Sequence, residues 1–176
     1  MNTPSFHLRR ATPADADILA RLGPDTFREA FGEEFPAAVI AARMDAVYAP
    51  GRLAQDLADA AQAWFLAEAG EAAIGFLALR NGPAPVPVAG ERPVELARVY
   101  VRAAWHGRGP AFALMEAGIM EAGQRRADVL WLQAWERNAK ALAFYRAHGF
   151  LRAGAVTVNF VGRSLPHLVL SRRLSK

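Results

Sequence analysis

The sequence predicts a mixed α/β fold, a sheet of about seven strands flanked by helices, in a single domain over residues 1–176. Three observations carry the prediction. Short apolar runs bounded by Gly and Pro read as strands, and longer stretches with helical spacing separate them. Their order is strand, helices, hairpin, strand, helix, strand, helix, strand, strand. At 176 residues, 53% hydrophobic and 22% charged, the chain is long enough and apolar enough for one sizeable core.

Phe6 to Arg10 alternates apolar and polar residues, the pattern of a first strand. Thr12 is a natural N-cap and Pro13 suits a first helical position, so a helix begins there. Its pattern runs through Ile18, Leu19 and Leu22, is expected to break at Gly23-Pro24, and restarts at Asp25 to end at Gly32. Residues 37–48 and 51–61 read as two short helices separated by Pro50-Gly51. Residues 63–69 and 72–80 form a hairpin through Gly70-Glu71, and the proline-rich stretch 81–93 is a surface loop. A strand over 94–102 leads to a helix over 110–125, then a strand over 128–134 and a helix over 138–148. Gly149 ends that helix as a C′ residue, and strands 150–158 and 166–174 complete the chain.

Composition removes several functions. There is no cysteine, so disulfides, thiolate metal sites and cysteine nucleophiles are excluded. The four histidines, His7, His106, His148 and His167, show no ligand spacing, and no metal is expected. The first residues lack a basic region followed by an apolar run, and no stretch of about 18 apolar residues occurs. A cytoplasmic protein with neither a signal peptide nor a membrane span is expected. The net charge of +4 is unevenly spread: residues 1–71 hold 11 Asp/Glu and 6 Arg, a net −5, and the remainder carries +9. Scattered arginines without interleaved aromatics do not read as a nucleic-acid surface. The division suits an anionic ligand on the basic half and a cationic one on the acidic half, although a solvated surface explains most of these charges equally.

Chemistry concentrates in residues 95–112. A strand feeds Gly107-Arg108-Gly109 and then a helix beginning at Pro110, which is an anion site in outline because first-turn amides have no intrahelical acceptor. A dinucleotide fingerprint fails because Phe112 stands at the third glycine position, and no P-loop motif is present. The stretch Gly162 to Pro166 lacks the second glycine of a nucleophile elbow. Further on, Asn138 precedes a helix and Tyr145 lies two turns along the same face. Each has a plain alternative, an N-cap for Asn138 and a half-buried aromatic for Tyr145.

In combination these segments resemble the GCN5-related N-acetyltransferases, the GNAT superfamily. The acetyl-CoA loop of that family, Gln/Arg-x-x-Gly-x-Gly/Ala, is matched by His106-Gly107-Arg108-Gly109-Pro110-Ala111. Its later signature is matched by Asn138, Phe144-Tyr145 and Gly149-Phe150. The resemblance covers residues 60–174 in motif and strand order, and it implies a mostly antiparallel sheet. Two departures stand out. His106 replaces Gln or Arg, and Pro110 removes one amide donor, leaving Arg108, Gly109, Ala111 and Phe112 to hold the pyrophosphate beside Gly107 and His106.

The resemblance implies acetyl-CoA as acyl donor, its pantetheine arm paired with the main chain at Val99 and Val101 and bonded by Asn138. It implies Tyr145 as the acid that protonates the departing thiolate and the Val99 amide as oxyanion donor. Glu95 is the candidate base toward the amine, directly or through water, with a solvated strand-end carboxylate as the competing reading. Arg98 is expected on the opposite face in a structural role. Thr26 to Gly32, Arg98 to Val101 and Trp135 to Asn138 resemble the PaiA-like polyamine acetyltransferase branch. The acidic cluster Asp25, Glu29, Glu33 and Glu34 would attract such an acceptor. Peptide or aminoglycoside acetylation and a non-catalytic CoA-binding module remain alternatives, and a homodimer is the candidate assembly.

Overall fold

Gly70 and Glu71 separate two apolar runs, and in the computed structural model of the chain these runs are consecutive strands, with Gly70 at φ +60° in the turn. The structure describes residues 5–85 and 87–174. Residues 1–4, part of the stretch expected to carry no signal peptide, lie outside that range, as does Val86 in the proline-rich loop.

The strands are β1 His7–Arg10, β2 Gln62–Ala69, β3 Ala72–Asn81, β4 Pro93–Val101, β5 Val129–Trp135, β6 Leu151–Phe160 and β7 Arg163–Arg173. The helices are α1 Ala16–Phe31, α2 Ala37–Val47, α3 Pro50–Ala58, α4 Pro110–Gln124 and α5 Ala139–Ala147, with short 3₁₀ turns at Pro13–Asp15 and Ala103–Trp105. All seven strands belong to one mostly antiparallel sheet in the order β1-β2-β3-β4-β5-β7-β6. β4 and β5 run parallel, and the chain between them passes through α4, the long crossover that parallel strands require.

The chain packs as two compact units, Met1–Ala78 with Arg98–Gly118, and Leu79–Ala97 with Ile119–Lys176. In the first, Leu19, Leu22, Leu53, Trp64, Phe76 and Leu114 are buried. Trp64 and Tyr100 both stack on Phe76, at ring separations of 6.2 and 5.7 Å. The Arg98 guanidinium lies 5.5 Å over Tyr48 and 5.2 Å over Trp64, a cation–π stack that accounts for it structurally. Desolvation pushes the Tyr100 phenol up to about 12, so it stays protonated at neutral pH. At the start of the chain, Arg9 donates to both Asp15 oxygens at 2.8 and 2.7 Å and to both Glu68 oxygens at 2.9 and 2.8 Å. Asp15 also accepts the Thr12 amide at 2.8 Å, so the expected cap is realised through the first turn's own carboxylate.

In the second unit, β7 lies between β5 and β6 and pairs antiparallel with both. The expected surface loop ends on Asp128, whose carboxylate accepts the amides of Glu91 and Arg92 at 2.7 and 3.0 Å.

Several boundaries differ from expectation: α3 starts at Pro50 and ends at Ala58 rather than running over 51–61, and β6 reaches Phe160 rather than 158. Two further differences have a visible physical cause. The helix does not break at Gly23-Pro24: α1 runs through Pro24 to Phe31. Leu19, Leu22, Gly23 and Thr26 form one buried face, and the Thr26 hydroxyl donates to the carbonyl of Leu22 at 2.8 Å, so packing outweighs the missing proline donor. Gly23 is required at that crossing because a Cβ there would come within 2.2 Å of the Tyr48 ring. The last strand begins at Arg163 rather than Pro166. Its ladder with β5 stops at the Trp135–His167 pair, and beyond it the Pro166 carbonyl still accepts the Glu136 amide at 3.1 Å, so the proline lacks only its N–H and sits at the end of that ladder, where it is tolerated.

Candidate active site

The first unit carries the glycine turn. Val99 and Val101 lie on the last part of β4, and His106 to Gly109 follow the 3₁₀ turn. Gly107 and Gly109 have φ of +73° and +101°, backbone that a side chain would strain. This conformation directs the chain into α4, whose first residue is the buried Pro110. The first ladder bond of the helix runs from the Ala113 amide to the Gly109 carbonyl at 3.0 Å, so the amides of Ala111 and Phe112 precede the ladder. The Phe112 ring is 59% exposed.

Two expected phosphate ligands are otherwise engaged. The Arg108 amide donates to the Trp105 carbonyl at 3.2 Å, so what Arg108 presents to solvent is its exposed side chain. The Nε2 of His106 lies 2.9 Å from the Val101 carbonyl, which ties the imidazole back to the strand. The parallel ladder of β4 with β5 covers Pro93–Glu95 against Val129–Trp131 and ends there. That ladder does not reach Val99 and Val101.

The second unit carries Glu95, Asn138 and Tyr145. One oxygen of Glu95, Oε2, accepts from Arg80 Nε at 3.0 Å and from its terminal nitrogen at 2.6 Å. Asn138 is the N-cap of α5, and its Oδ1 accepts the Ala141 amide at 3.1 Å. Tyr145 is in the last turn of the same helix, half-buried. The helix ends in a Schellman motif: the Phe150 amide donates to the Tyr145 carbonyl at 3.1 Å and the Gly149 amide to the Arg146 carbonyl at 3.0 Å, with Gly149 at φ +78°. The hydrophobic contact that accompanies this motif is Phe150 against the Tyr145 ring, 6.0 Å between centroids. Arg172 of β7 donates to the His148 carbonyl at 2.7 Å and pins the same terminus. The Phe-Tyr…Gly-Phe signature is therefore a helix-ending device that fixes where Tyr145 stands.

Sequence reasoning missed Arg80 as the partner of Glu95, and also a cluster around Arg102. Arg102 bonds Asp25 at 2.8 Å and Glu29 at 3.1 Å, so two of the four acidic residues expected to face a polycation already hold a cation. Residues so far apart in sequence leave no local signal. Among the described residues no group of three or more His, Asp or Glu is arranged to hold a metal, and no helix is long and apolar enough to cross a membrane.

A sequence model of the acetyltransferase (GNAT) family matches residues 25–150. An uncharacterised N-acetyltransferase of Mycobacterium tuberculosis is 30% identical over 160 residues, covering 91% of this chain and 98% of the relative. Among solved structures, the PaiA N-acetyltransferase of Thermoplasma acidophilum in complex with coenzyme A superposes with a TM-score of 0.76 at 14% identity, over 97% of this chain and 99% of that one. A ribosomal-protein-alanine N-acetyltransferase of Brucella melitensis gives 0.66 at 25% identity, over 96% and 99%. The fold, the glycine turn and these matches define one class: the chain belongs to the GNAT family of acetyltransferases. As a member it is an acyltransferase that takes its acetyl group from acetyl-CoA.

Proposed function

We propose that the chain acetylates a primary amine by direct attack on acetyl-CoA, within one N-acetyltransferase domain over residues 1–176. The observation that carries this reading is the strand whose parallel ladder stops at Glu95 and which runs on into a glycine turn at a helix N-terminus. The pantetheine arm adds to β4 as a strand would, at the main chain of Val99 and Val101, and the free amide nitrogen of Asn138 donates to it. The pyrophosphate lies on the amides of Gly107, Gly109, Ala111 and Phe112, with the Arg108 guanidinium supplying positive charge and His106 bracing the strand end.

The amine nitrogen attacks the thioester carbon, and the Val99 amide holds the oxygen that becomes negative. Collapse breaks the carbon–sulfur bond, and Tyr145 gives its proton to the thiolate, whose basicity is close to that of a phenol. Glu95 takes the amine proton, directly or through water, on Oε1, the oxygen that Arg80 leaves unbonded.

For the acceptor, the resemblance to the PaiA-like branch favours a small cationic amine such as a polyamine. With Asp25 and Glu29 held by Arg102, that attraction rests on the exposed Glu33 and Glu34. Acetylation of a protein N-terminus is the second reading, favoured by the 25% identity to the ribosomal-protein-alanine enzyme. Thiol release from acetyl-CoA, measured across polyamines, aminoglycosides and peptides, separates them. Preference for spermidine supports the polyamine reading, and indifference to every polyamine overturns it.

A further inference from the structure

We infer that Arg102 and Glu29 are positioning residues for acetyl-CoA: they anchor the strand end that leads into the glycine turn, and through it set cosubstrate affinity without touching the cosubstrate. The inference rests on the proposal that this turn holds the pyrophosphate.

The two glycines themselves contribute little to holding the turn in place. A Cβ at Gly107 would meet nothing within 4 Å, and both glycines adopt backbone that is open to many other conformations once unrestrained. Its direction is therefore set by its flanks. On the far side, α4 and the buried Pro110 fix it. On the near side, the restraint is a cluster that bridges α1 to the end of β4.

Glu29 Oε2 accepts the amide of Ala103, the first residue of the 3₁₀ turn, at 2.6 Å. Its other oxygen, Oε1, receives Arg102 Nε at 3.1 Å, and Arg102 donates from a terminal nitrogen to Asp25 at 2.8 Å. The Arg102 amide meanwhile donates to the Ile74 carbonyl at 2.8 Å. From this anchored residue the main chain continues as a short ladder: Trp105 to the Arg102 carbonyl at 2.9 Å, His106 to Ala103 at 3.1 Å and Arg108 to Trp105 at 3.2 Å. Each bond passes the anchor's position one step nearer Gly109. An isolated exposed ion pair contributes little to stability, and these side chains are about a third exposed. A carboxylate that takes both a main-chain amide and a guanidinium is different, because charge-assisted bonds from two directions fix where that amide stands. The cluster thus works on conformation more than on overall stability.

The test measures coenzyme A binding by calorimetry, together with KM for acetyl-CoA and kcat, on the full chain and its variants. Arg102→Met is expected to weaken coenzyme A affinity about tenfold, the size of one charge-assisted bond, and to raise KM in step while leaving saturated kcat within about twofold. Arg102→Lys should restore part of the affinity, and Glu29→Gln, which keeps an acceptor but loses the charge, should fall between. Hydrogen exchange at residues 103–109 of the free protein should quicken in Arg102→Met. Wild-type protein that binds no coenzyme A would sink the acetyl-CoA reading and this inference together. Wild-type binding that Arg102→Met and Glu29→Gln both leave unchanged, with folded protein in each case, overturns the inference alone.

Discussion

The amide of Phe150 donates to the carbonyl of Tyr145 at 3.1 Å while the Phe150 ring meets the Tyr145 ring at 6.0 Å, so one residue holds both the main chain and the side chain of the proposed acid. The arrangement depends on Gly149 at φ +78°. Gly149→Ala should cost about 1 kcal/mol of stability, the penalty of left-handed backbone for a residue with a Cβ. It should lower kcat more than it raises KM for acetyl-CoA, because the displaced group acts on the leaving thiolate. Thermal melts and steady-state kinetics on the same preparation check both parts.

Asn138 has one observed role and one proposed role. Its Oδ1 caps α5 by accepting the Ala141 amide, while the proposal assigns its amide nitrogen to the pantetheine arm. Asn138→Ala removes both and should cost about 1 kcal/mol of stability as well as coenzyme A affinity. Asn138→Asp keeps a capping acceptor and loses only the donor. It should melt close to wild type yet bind coenzyme A several-fold more weakly, about the worth of one hydrogen bond. Unchanged coenzyme A affinity in Asn138→Asp would reduce the residue to a cap.

The Arg9 cluster predicts the acid limb of stability. Bonds from the Arg9 guanidinium, and then from the Thr12 amide, hold the Asp15 carboxyl at about 2, and Arg9 likewise lowers Glu68. In the unfolded chain an aspartate titrates near 4. The stability Asp15 contributes, roughly 2 kcal/mol, is therefore complete above about pH 4 and lost as pH falls toward 2. Arg9→Met leaves a buried carboxylate without its cation, so it should be clearly destabilised at pH 7, with the gap to wild type narrowing toward pH 2. Urea unfolding at a series of pH values measures the gap, and a pH-independent difference would contradict the assignment.

Where local pattern decides structure, the sequence was readable. Alternation in β1, the Gly70-Glu71 hairpin and Gly149 as a C′ glycine each follow from rules that act over a few residues. Gly23-Pro24 reads as a helix break for the same local reason, and only the burial of that face against Tyr48 explains why α1 continues. The glycine turn and the Asn138–Tyr145 spacing were legible because they are contiguous. The ties of Arg80 to Glu95 and of Arg102 to Glu29 and Asp25 were not, since they form only when distant segments meet. Those ties bear on the proposed function: one leaves a single free oxygen on the proposed base, and the other engages two of the four carboxylates of the acidic patch with one arginine.

The most direct test of the account is thiol release from acetyl-CoA by the purified chain with a saturating primary amine, compared between wild type and Tyr145→Phe. Amine-dependent release by wild type is the expected result. Turnover in the variant should fall on the order of a hundredfold or more, the usual worth of a positioned acid, with coenzyme A affinity within about twofold. Equal turnover in the two proteins would contradict the role given to Tyr145, and no release with any amine would contradict acetyl transfer to amines itself.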